Sequence, residues 1–350
     1  MKRLGNRDGL KLYDAICMEE NIREAIKKAC RDHGNDAIVR EMRDDPEPFV
    51  TEIRHILETE SYSPSEFIRR VIFERGKRRK LCYTRTYPDR VIHHCVMNVV
   101  GPYLHASIPS CAFAAVKGRG IHFGSMMVRR DMARDREGTK YCFKMDVYHY
   151  FDSIDRNLLF DRLRGKIKCR RTLDLLHTII FNCPGRNGLP IGLYASQVLS
   201  VWFLSTLDHY CKEVLGLRYY YRYMDDVVVL SHSKAILHNV RRLITDFLHG
   251  MRLRVKGNHA IFPVRSRRLD FIGFLFDGFR VDIRKRTKMA FIRVCNSIIR
   301  LLKRHEMLTT HILKSLQSYC GMLSWVSSDR LYIKYRGRVD TALEYGVNAI

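Results

Sequence analysis

The sequence predicts a mixed α+β fold made of two or three packed subdomains. Three observations carry that reading. The chain has 350 residues, and at about 150 residues per domain this exceeds one core. Its hydrophobic fraction is 46% and its aromatic fraction 11%, enough for a sizeable core and too much for wholesale disorder. Short β-rich runs bounded by turn residues alternate with longer stretches of helical periodicity.

The elements follow in chain order. Residues 1–60 show helical spacing and mixed charge, with a break at Pro46 and Pro48. Residues 67–85 hold eight Lys and Arg against one Glu and alternate around Gly76, which predicts two strands joined by a basic turn. Residues 89–135 read as mostly helical, interrupted at Gly101-Pro102 and again at residues 117–120. Residues 141–147 form a short apolar strand. A helix is expected to start near Asp152, with Asp152 as cap and Asp155 three residues on, ahead of Leu158, Leu159 and Leu163. Residues 162–171 carry six basic residues and no acid. Residues 218–231 read as two β-rich runs turning at Met224-Asp225. Residues 269–276 and 279–283 read as a hairpin that turns at Asp277-Gly278. The remainder is helical and basic, with Ile298, Leu301, Leu302, Leu308, Leu313, Leu316, Tyr319 and Leu323 at apolar positions.

Charge and cysteine usage narrow the class. The chain carries 62 Lys and Arg against 37 Asp and Glu, a formal charge of +25. Such an excess calls for a polyanionic partner, nucleic acid first and an anionic membrane surface second. Eleven cysteines with no C-x-x-C pair argue against a disulfide framework and a paired-cysteine zinc site, leaving reduced thiols. The first fourteen residues show no apolar run behind their charges, so no secretory signal is expected. Residues 187–207 carry no charge, but Asn187, Gly188, Pro190, Gly192, Ser196, Gln197, Ser200 and Ser205 favour a buried loop and helix over a membrane span.

On so basic a chain, acids in an apolar context stand out. Asp225-Asp226 follows Tyr219-Tyr220-Tyr221-Arg222-Tyr223 and precedes Val227-Val228-Val229-Leu230. Two adjacent carboxylates repel, and burying them costs several kcal/mol unless a positive charge compensates. A water-exposed turn is the ordinary alternative, since Asp is a normal turn residue. A third acid, Asp146, ends the strand that begins at Tyr141. Three carboxylates at a strand end and a hairpin tip suit two divalent cations about 3.5–4 Å apart, which clamp the attacking and leaving oxygens of a phosphoryl displacement. Magnesium fits, because it takes few carboxylates and keeps phosphates as ligands. An acidic centre in a basic envelope is what a nucleic-acid polymerase or nuclease needs.

The sequence resembles the reverse transcriptases. Residues 143–151 (Phe-Lys-Met-Asp146-Val-Tyr-His-Tyr-Phe151) resemble that family's first palm motif, and Tyr223-Met224-Asp225-Asp226 its YxDD motif. Between them, Gly188-Leu-Pro-Ile191-Gly192-Leu-Tyr-Ala-Ser196-Gln197 resembles the middle motif. Residues 253–256 and 269–274 resemble the two later palm motifs, and Arg79-Lys80-Leu81 and Asp89-Arg90-Val91-Ile92 the fingers motifs. The resemblance implies a right-hand polymerase: an N-terminal helical extension over 1–65, fingers over 66–140, a palm of antiparallel sheet plus helices over 141–283, and a small helical thumb over 284–350. A basic helical fingers insertion is expected near 155–187. It implies Asp146, Asp225 and Asp226 as metal carboxylates, with the Val147 carbonyl as an extra ligand, for two Mg2+ ions that Mn2+ could replace. Phe151 matches the aromatic that collides with a 2′-OH, the one group separating the two nucleotide classes; core packing is its alternative. Arg79 and Lys80 would clamp the incoming triphosphate. Lys256 matches the basic residue that would protonate the pyrophosphate leaving group, or is a surface lysine.

One departure narrows the resemblance. Most reverse transcriptases carry Gln-Gly-x-x-x-Ser-Pro in the middle motif. Here Ile191 replaces the first Gln and Gln197 replaces Pro, a form that resembles the enzymes of diversity-generating retroelements. That resemblance implies error-prone copying of a template-repeat RNA into cDNA that rewrites a variable repeat. It also implies dNTPs as substrates, RNA template and cDNA primer-template as partners, a small basic pentameric accessory protein, no membrane, and a cytoplasmic bacterial or phage setting. The chemistry points the same way. Gln near the nascent pair can hydrogen-bond the incoming nucleotide and Ile cannot, a loss of about 1–3 kcal/mol of discrimination. Adenine selectivity has no residue-level account. The alternatives are a retron-like or group II intron-like enzyme, an RNA-directed RNA polymerase, which Phe151 disfavours, and a non-catalytic RNA-binding protein on a polymerase scaffold.

Overall fold

In a computed structural model of the chain, residues 12–31, 36–74, 77–326 and 330–345 are described, apart from the side chains of Glu74, Lys77, Arg79, Lys80 and Tyr345. Four helices open the chain: α1 (Leu12–Cys17), α2 (Glu19–Ala29), α3 (Ala37–Asp44) and α4 (Glu47–Glu58). A hairpin of β1 (Ile68–Glu74) and β2 (Lys77–Tyr83) leads into α5 (Val91–Ala106) and α6 (Ile121–Arg134). Then come β3 (Tyr141–Asp146), the single turn α7 (Tyr150–Ser153), α8 (Arg156–Lys166), α9 (Arg170–Phe181) and α10 (Tyr194–His209). Strands β4 (Tyr219–Tyr223) and β5 (Asp226–Ser231) precede α11 (Lys234–Gly250). Short strands β6 (Ala260–Pro263), β7 (Leu269–Phe271), β8 (Phe274–Phe276) and β9 (Val281–Ile283) end at α12 (Lys285–Lys303), α13 (Thr310–Leu323) and α14 (Arg330–Tyr345). The mixed α+β class is as expected.

The chain forms two compact units. The first comprises residues 1–115, 146–216 and 243–257. Its centre is α5, which packs on α2 and α10. The uncharged stretch that could pass for a membrane span is the approach to α10 and α10 itself, buried along most of its length; Trp202 Nε1 donates to Ser107 Oγ at 3.0 Å. Among the described residues, no helix is long and apolar enough to cross a membrane. Pro46 and Pro48 divide α3 from α4 as the sequence predicts, with proline in the first turn, where its missing N–H costs nothing.

The second unit comprises residues 116–145, 217–242 and 258–350. It holds a four-stranded sheet in the order β4-β5-β3-β6 and a three-stranded sheet in the order β7-β8-β9. In the first, Tyr219 pairs with Leu230 and Tyr223 with Asp226, while Tyr141 pairs with Pro263. Val227, Val228, Val229 and Leu230 of β5 are buried in succession, so both faces of this inner strand are covered, as its continuous apolar run requires. Helix α12 packs on α13 and α14. The eleven cysteines are free thiols, seven of them buried.

Three local expectations are corrected. Gly101-Pro102 does not interrupt α5; Gly101 is buried and Pro102 faces outward, and the packed face carries the helix through the ring's local cost. The cap ahead of Leu158 is Asp155, whose carboxylate accepts from the Leu158 N–H at 3.0 Å, while Asp152 sits inside the single turn α7. Residues 269–276 are two strands, not one, because the backbone turns at Ile272 and Gly273, with φ of 48° and 94°. The turn at Asp277-Gly278 joins β8 to β9 as read from sequence.

Candidate active site

The acid pair spans the last residue of a two-residue hairpin turn and the first residue of β5. Tyr223 and Asp226 close the β4–β5 ladder, leaving Met224 and Asp225 as the loop. A loop this short needs positive φ, and Met224 takes 53° although it is not glycine. The Arg222 guanidinium, fully buried, donates from Nη1 to the Met224 carbonyl at 2.8 Å. A buried cation thus pins the strained residue of the turn. The turn residues 223–226 are half-buried, neither the fully solvated tip of the ordinary alternative nor a sealed core.

Strand β3, which ends at Asp146, is the sheet neighbour of β5, which begins at Asp226. Two residues before Asp146, Lys144 shares its face of the strand. Its Nζ lies 3.1 Å from Asp226 Oδ2, with both side chains about three-quarters buried, and also donates to the Asp270 carbonyl. This ammonium supplies the compensating charge that the adjacent acids need. Its sequence signal is a lysine at i−2 from the strand-end acid.

Asp146 opens a second ladder. The Lys256 N–H donates to the Asp146 carbonyl at 2.8 Å, Val147 bridges Val255, and the Tyr148 N–H donates to the Arg254 carbonyl at 2.7 Å. The segment resembling a later palm motif is therefore stitched to the strand-end acid, which brings Lys256 beside Asp146. His149, three residues past Asp146, is left-handed at φ 43° and turns the chain into α7, where Phe151 is half-buried.

Phe151 and the middle motif are one local construction. The Leu189 N–H donates to the Phe151 carbonyl and the Gly188 N–H to the Ile154 carbonyl, both at 2.8 Å. Gly188 has φ of 86°, and a Cβ there would meet the Asp152 backbone at 2.8 Å, so only glycine fits. Gly192 has φ of 126°, and its Cβ would stand 3.1 Å from the Cys82 carbonyl of β2. The Cys82 N–H in turn donates to the Ile191 carbonyl at 3.1 Å. The β1–β2 hairpin and the Ile191-Gly192 loop are thereby joined through backbone, with Ile191 half-buried, Ser196 buried and Gln197 exposed. Arg79 and Lys80 lie on β2 opposite Ile72 and Val71, and their side chains fall outside the described residues.

Arg156, which sequence reading missed, holds this loop. It is 4% exposed, and its five N–H groups meet five carbonyls: Nε to Gly188 at 2.7 Å, Nη1 to Cys183 at 2.8 Å and Gly185 at 3.0 Å, and Nη2 to Pro184 at 2.7 Å and Asn187 at 3.3 Å. Burial lowers its pKa from the ordinary arginine value. Its only sequence signal is an arginine at the first position of α8. On the other side, a pocket lined by Tyr83, Thr84, Arg90, His93, His94 and Gly192 flanks the loop. Burial pushes both histidines down to about 4, so both are neutral at pH 7, and His94 stacks on Tyr194 at 5.1 Å. Asp89, fully buried, accepts from Tyr62 Oη at 2.7 Å and the Ser65 N–H at 3.1 Å, an anchoring role.

Among the described residues, no group of three or more His, Cys, Asp and Glu side chains is gathered closely enough to hold a metal ion by itself. The donor chemistry still suits a hard cation. The carboxylates are half-buried oxygen donors at strand ends, and magnesium takes one or two of these and fills its shell with phosphates and water.

The sheet's inner strands end in Asp146 and begin in Asp226, beside a turn pinned by a buried arginine. The profile of the family described as reverse transcriptase (RNA-dependent DNA polymerase) matches residues 75–276, and the chain belongs to that family. No curated protein matches the sequence. Among solved structures, apo telomerase from Candida tropicalis aligns with a TM-score of 0.55 at 12% identity, over 86% of this chain and 64% of that one. Telomerase from Candida albicans, in complex with a TWJ fragment of telomeric RNA, aligns with a TM-score of 0.51 at 11% identity, over 82% of this chain and 58% of that one. The chain therefore spans less than two thirds of the length of these telomerase chains, and at such identity the likeness concerns the fold alone.

Proposed function

We propose that the protein is an RNA-directed DNA polymerase. The observation that carries this is the Met224-Asp225 turn, pinned by buried Arg222 and charge-compensated by Lys144, at the head of a strand adjoining the one that ends in Asp146. Asp146, Asp225 and Asp226, with the Val147 carbonyl, are assigned to Mg2+ or Mn2+. Bound ions would supply charge for the attacking 3′-oxygen and the departing pyrophosphate. The chain's own residues do the rest. Arg79 and Lys80 on the fingers hairpin hold the triphosphate, Lys256 beside Asp146 delivers a proton to the leaving group, and Phe151 presents its ring to the sugar. Purified protein given a primed RNA template, dNTPs and magnesium should extend the primer. No extension, with or without a basic accessory protein, overturns the proposal.

We propose fingers over 66–140, palm over 141–283 and thumb over 284–350 as the functional division of the chain. The sugar gate has its own expected result. Phe151→Ala admits ribonucleotides in single-nucleotide incorporation assays, because the residue is already half-exposed in the single turn α7, whose Phe151 carbonyl is held by the Leu189 N–H. Unchanged sugar selectivity removes the assignment.

A finer reading is error-prone copying of a template-repeat RNA for a diversity-generating retroelement. It rests on Ile191 and Gln197 in the middle motif and on the fixing of the Ile191 backbone by Cys82. With its backbone held, position 191 offers the nascent pair an aliphatic side chain with no hydrogen bond to reward correct geometry. Ile191→Gln should lower misincorporation opposite template adenine about tenfold, read by sequencing cDNA. An unaltered error spectrum breaks the link. A basic accessory protein and a cytoplasmic setting belong to the same reading.

A further inference from the structure

Strand β3 has two ends. Asp146 marks one, and Tyr141, five residues earlier and roughly 16 Å away at strand rise, marks the other. The Tyr141 end carries cations and rings that the reaction does not use. Lys140 and Arg265 are brought together there, because Tyr141 pairs with Pro263 and the Val264 N–H donates to the Lys140 carbonyl at 3.0 Å. We propose that this surface binds an unpaired stretch of nucleic acid, separate from the primer terminus.

The centre of the surface is Phe279, in the β8–β9 turn, a residue 57% exposed. The Arg136 guanidinium lies 4.4 Å from its centroid and that of Arg265 5.7 Å. Beside it, Arg267 lies 4.6 Å from the Phe262 ring, and Tyr141 has Lys140 at 5.9 Å and Lys234 at 5.5 Å. An exposed ring among guanidinium groups is what a base and its phosphates need: a π-face to stack on and cations for the backbone.

The nearby acids cancel this charge only in part, at Lys140 and Lys288. The Asp277 carboxylate is used in the turn, accepting from the N–H of Phe279 at 2.9 Å and of Arg280 at 2.7 Å, and it thereby fixes the turn that presents the ring. Asp282 pairs with Lys288 at 2.6 Å, and Glu137 stands 3.6 Å from Lys140. A duplex would bring the phosphates but no accessible base face, so the stacking ring selects an unpaired segment. An acidic protein would use the charge and not the ring.

The test uses the full chain with excess unlabelled primer–template duplex to fill the polymerase site. Labelled oligonucleotides of one sequence, as single-stranded RNA and as DNA, are then titrated at several salt concentrations. Binding of either supports the proposal, and their ratio tells which is held. R265E/R267E should lower affinity at least about tenfold and flatten the log–log salt slope by about 1.4, the amount for two phosphate contacts on a single strand. Phe279→Ala should lower affinity at least about fivefold. Both variants should extend a short primed template at the wild-type rate. No binding beside the duplex, or unchanged affinity in both variants, overturns the proposal. So does equal displacement by polyglutamate together with indifference to Phe279→Ala, which marks a surface for an acidic protein. The measurement does not require polymerase activity, so failure of primer extension leaves it intact.

Discussion

Asp226→Asn abolishes primer extension, with an expected loss in kcat of at least about 10³-fold, measured by single-turnover incorporation. Asp226 is the first residue of β5, and its carboxylate is the partner of the Lys144 ammonium at 3.1 Å. The substitution is isosteric, so the ladder pair with Tyr223 and the Met224 turn persist and the fold is expected to survive. What is lost is negative charge where a divalent cation would sit. The measurement that separates this from misfolding is Mn2+ binding followed by electron paramagnetic resonance. The variant should retain its melting transition and lose Mn2+ binding. A variant that keeps more than about a tenth of wild-type turnover removes Asp226 from the metal site.

Arg156→Met destabilises the first unit by at least about 3 kcal/mol, read as an earlier thermal or urea transition and as proteolysis within residues 183–188. The guanidinium satisfies five carbonyls of one loop, and methionine fills its volume without a single donor. The carbonyls of Cys183 and Gly188, both buried residues, then lose this partner at once, each costing about 1–3 kcal/mol if water cannot reach it. Arg156→Lys should not rescue, since one ammonium with three donors cannot span the loop as the planar fork does. The loop leads into Gly188 and Ile191-Gly192, so the residual folded protein should also show a raised KM for dNTPs. A wild-type transition in the methionine variant contradicts the clamp.

Much of this was legible along the chain. The β-rich runs around Met224-Asp225 are strands β4 and β5, because an apolar run flanking a short polar pair can pair only with itself when the turn is two residues long. The uncharged stretch leading into α10 was recognisable as buried because its small and hydroxylated residues suit close packing rather than lipid. The misreadings share a cause. At Gly101-Pro102, at Asp152 and at residues 269–276, local propensity pointed one way, and packing or a positive φ at Ile272 and Gly273 decided another.

The sequence by itself determined the class of the protein. Acid types and their spacing are covalent facts, and Asp146, Tyr223-Met224-Asp225-Asp226 and the Ile191-Gly192 motif stand in the order a polymerase palm needs. It also determined the charge that calls for a polyanion. Only the tertiary structure decided which cation answers which acid and which polar groups are spent in holding the loops. Lys144 and Asp226 are 82 positions apart, and Arg156 and the Gly188 carbonyl are 32 apart. Contacts at such separations come from strand pairing and burial, where desolvation turns a loosely hydrated side chain into an obligatory hydrogen-bond partner. The same folding brought Arg136, Arg265 and Phe279 together, so the +25 of the chain has, besides the polymerase site, a second place to act.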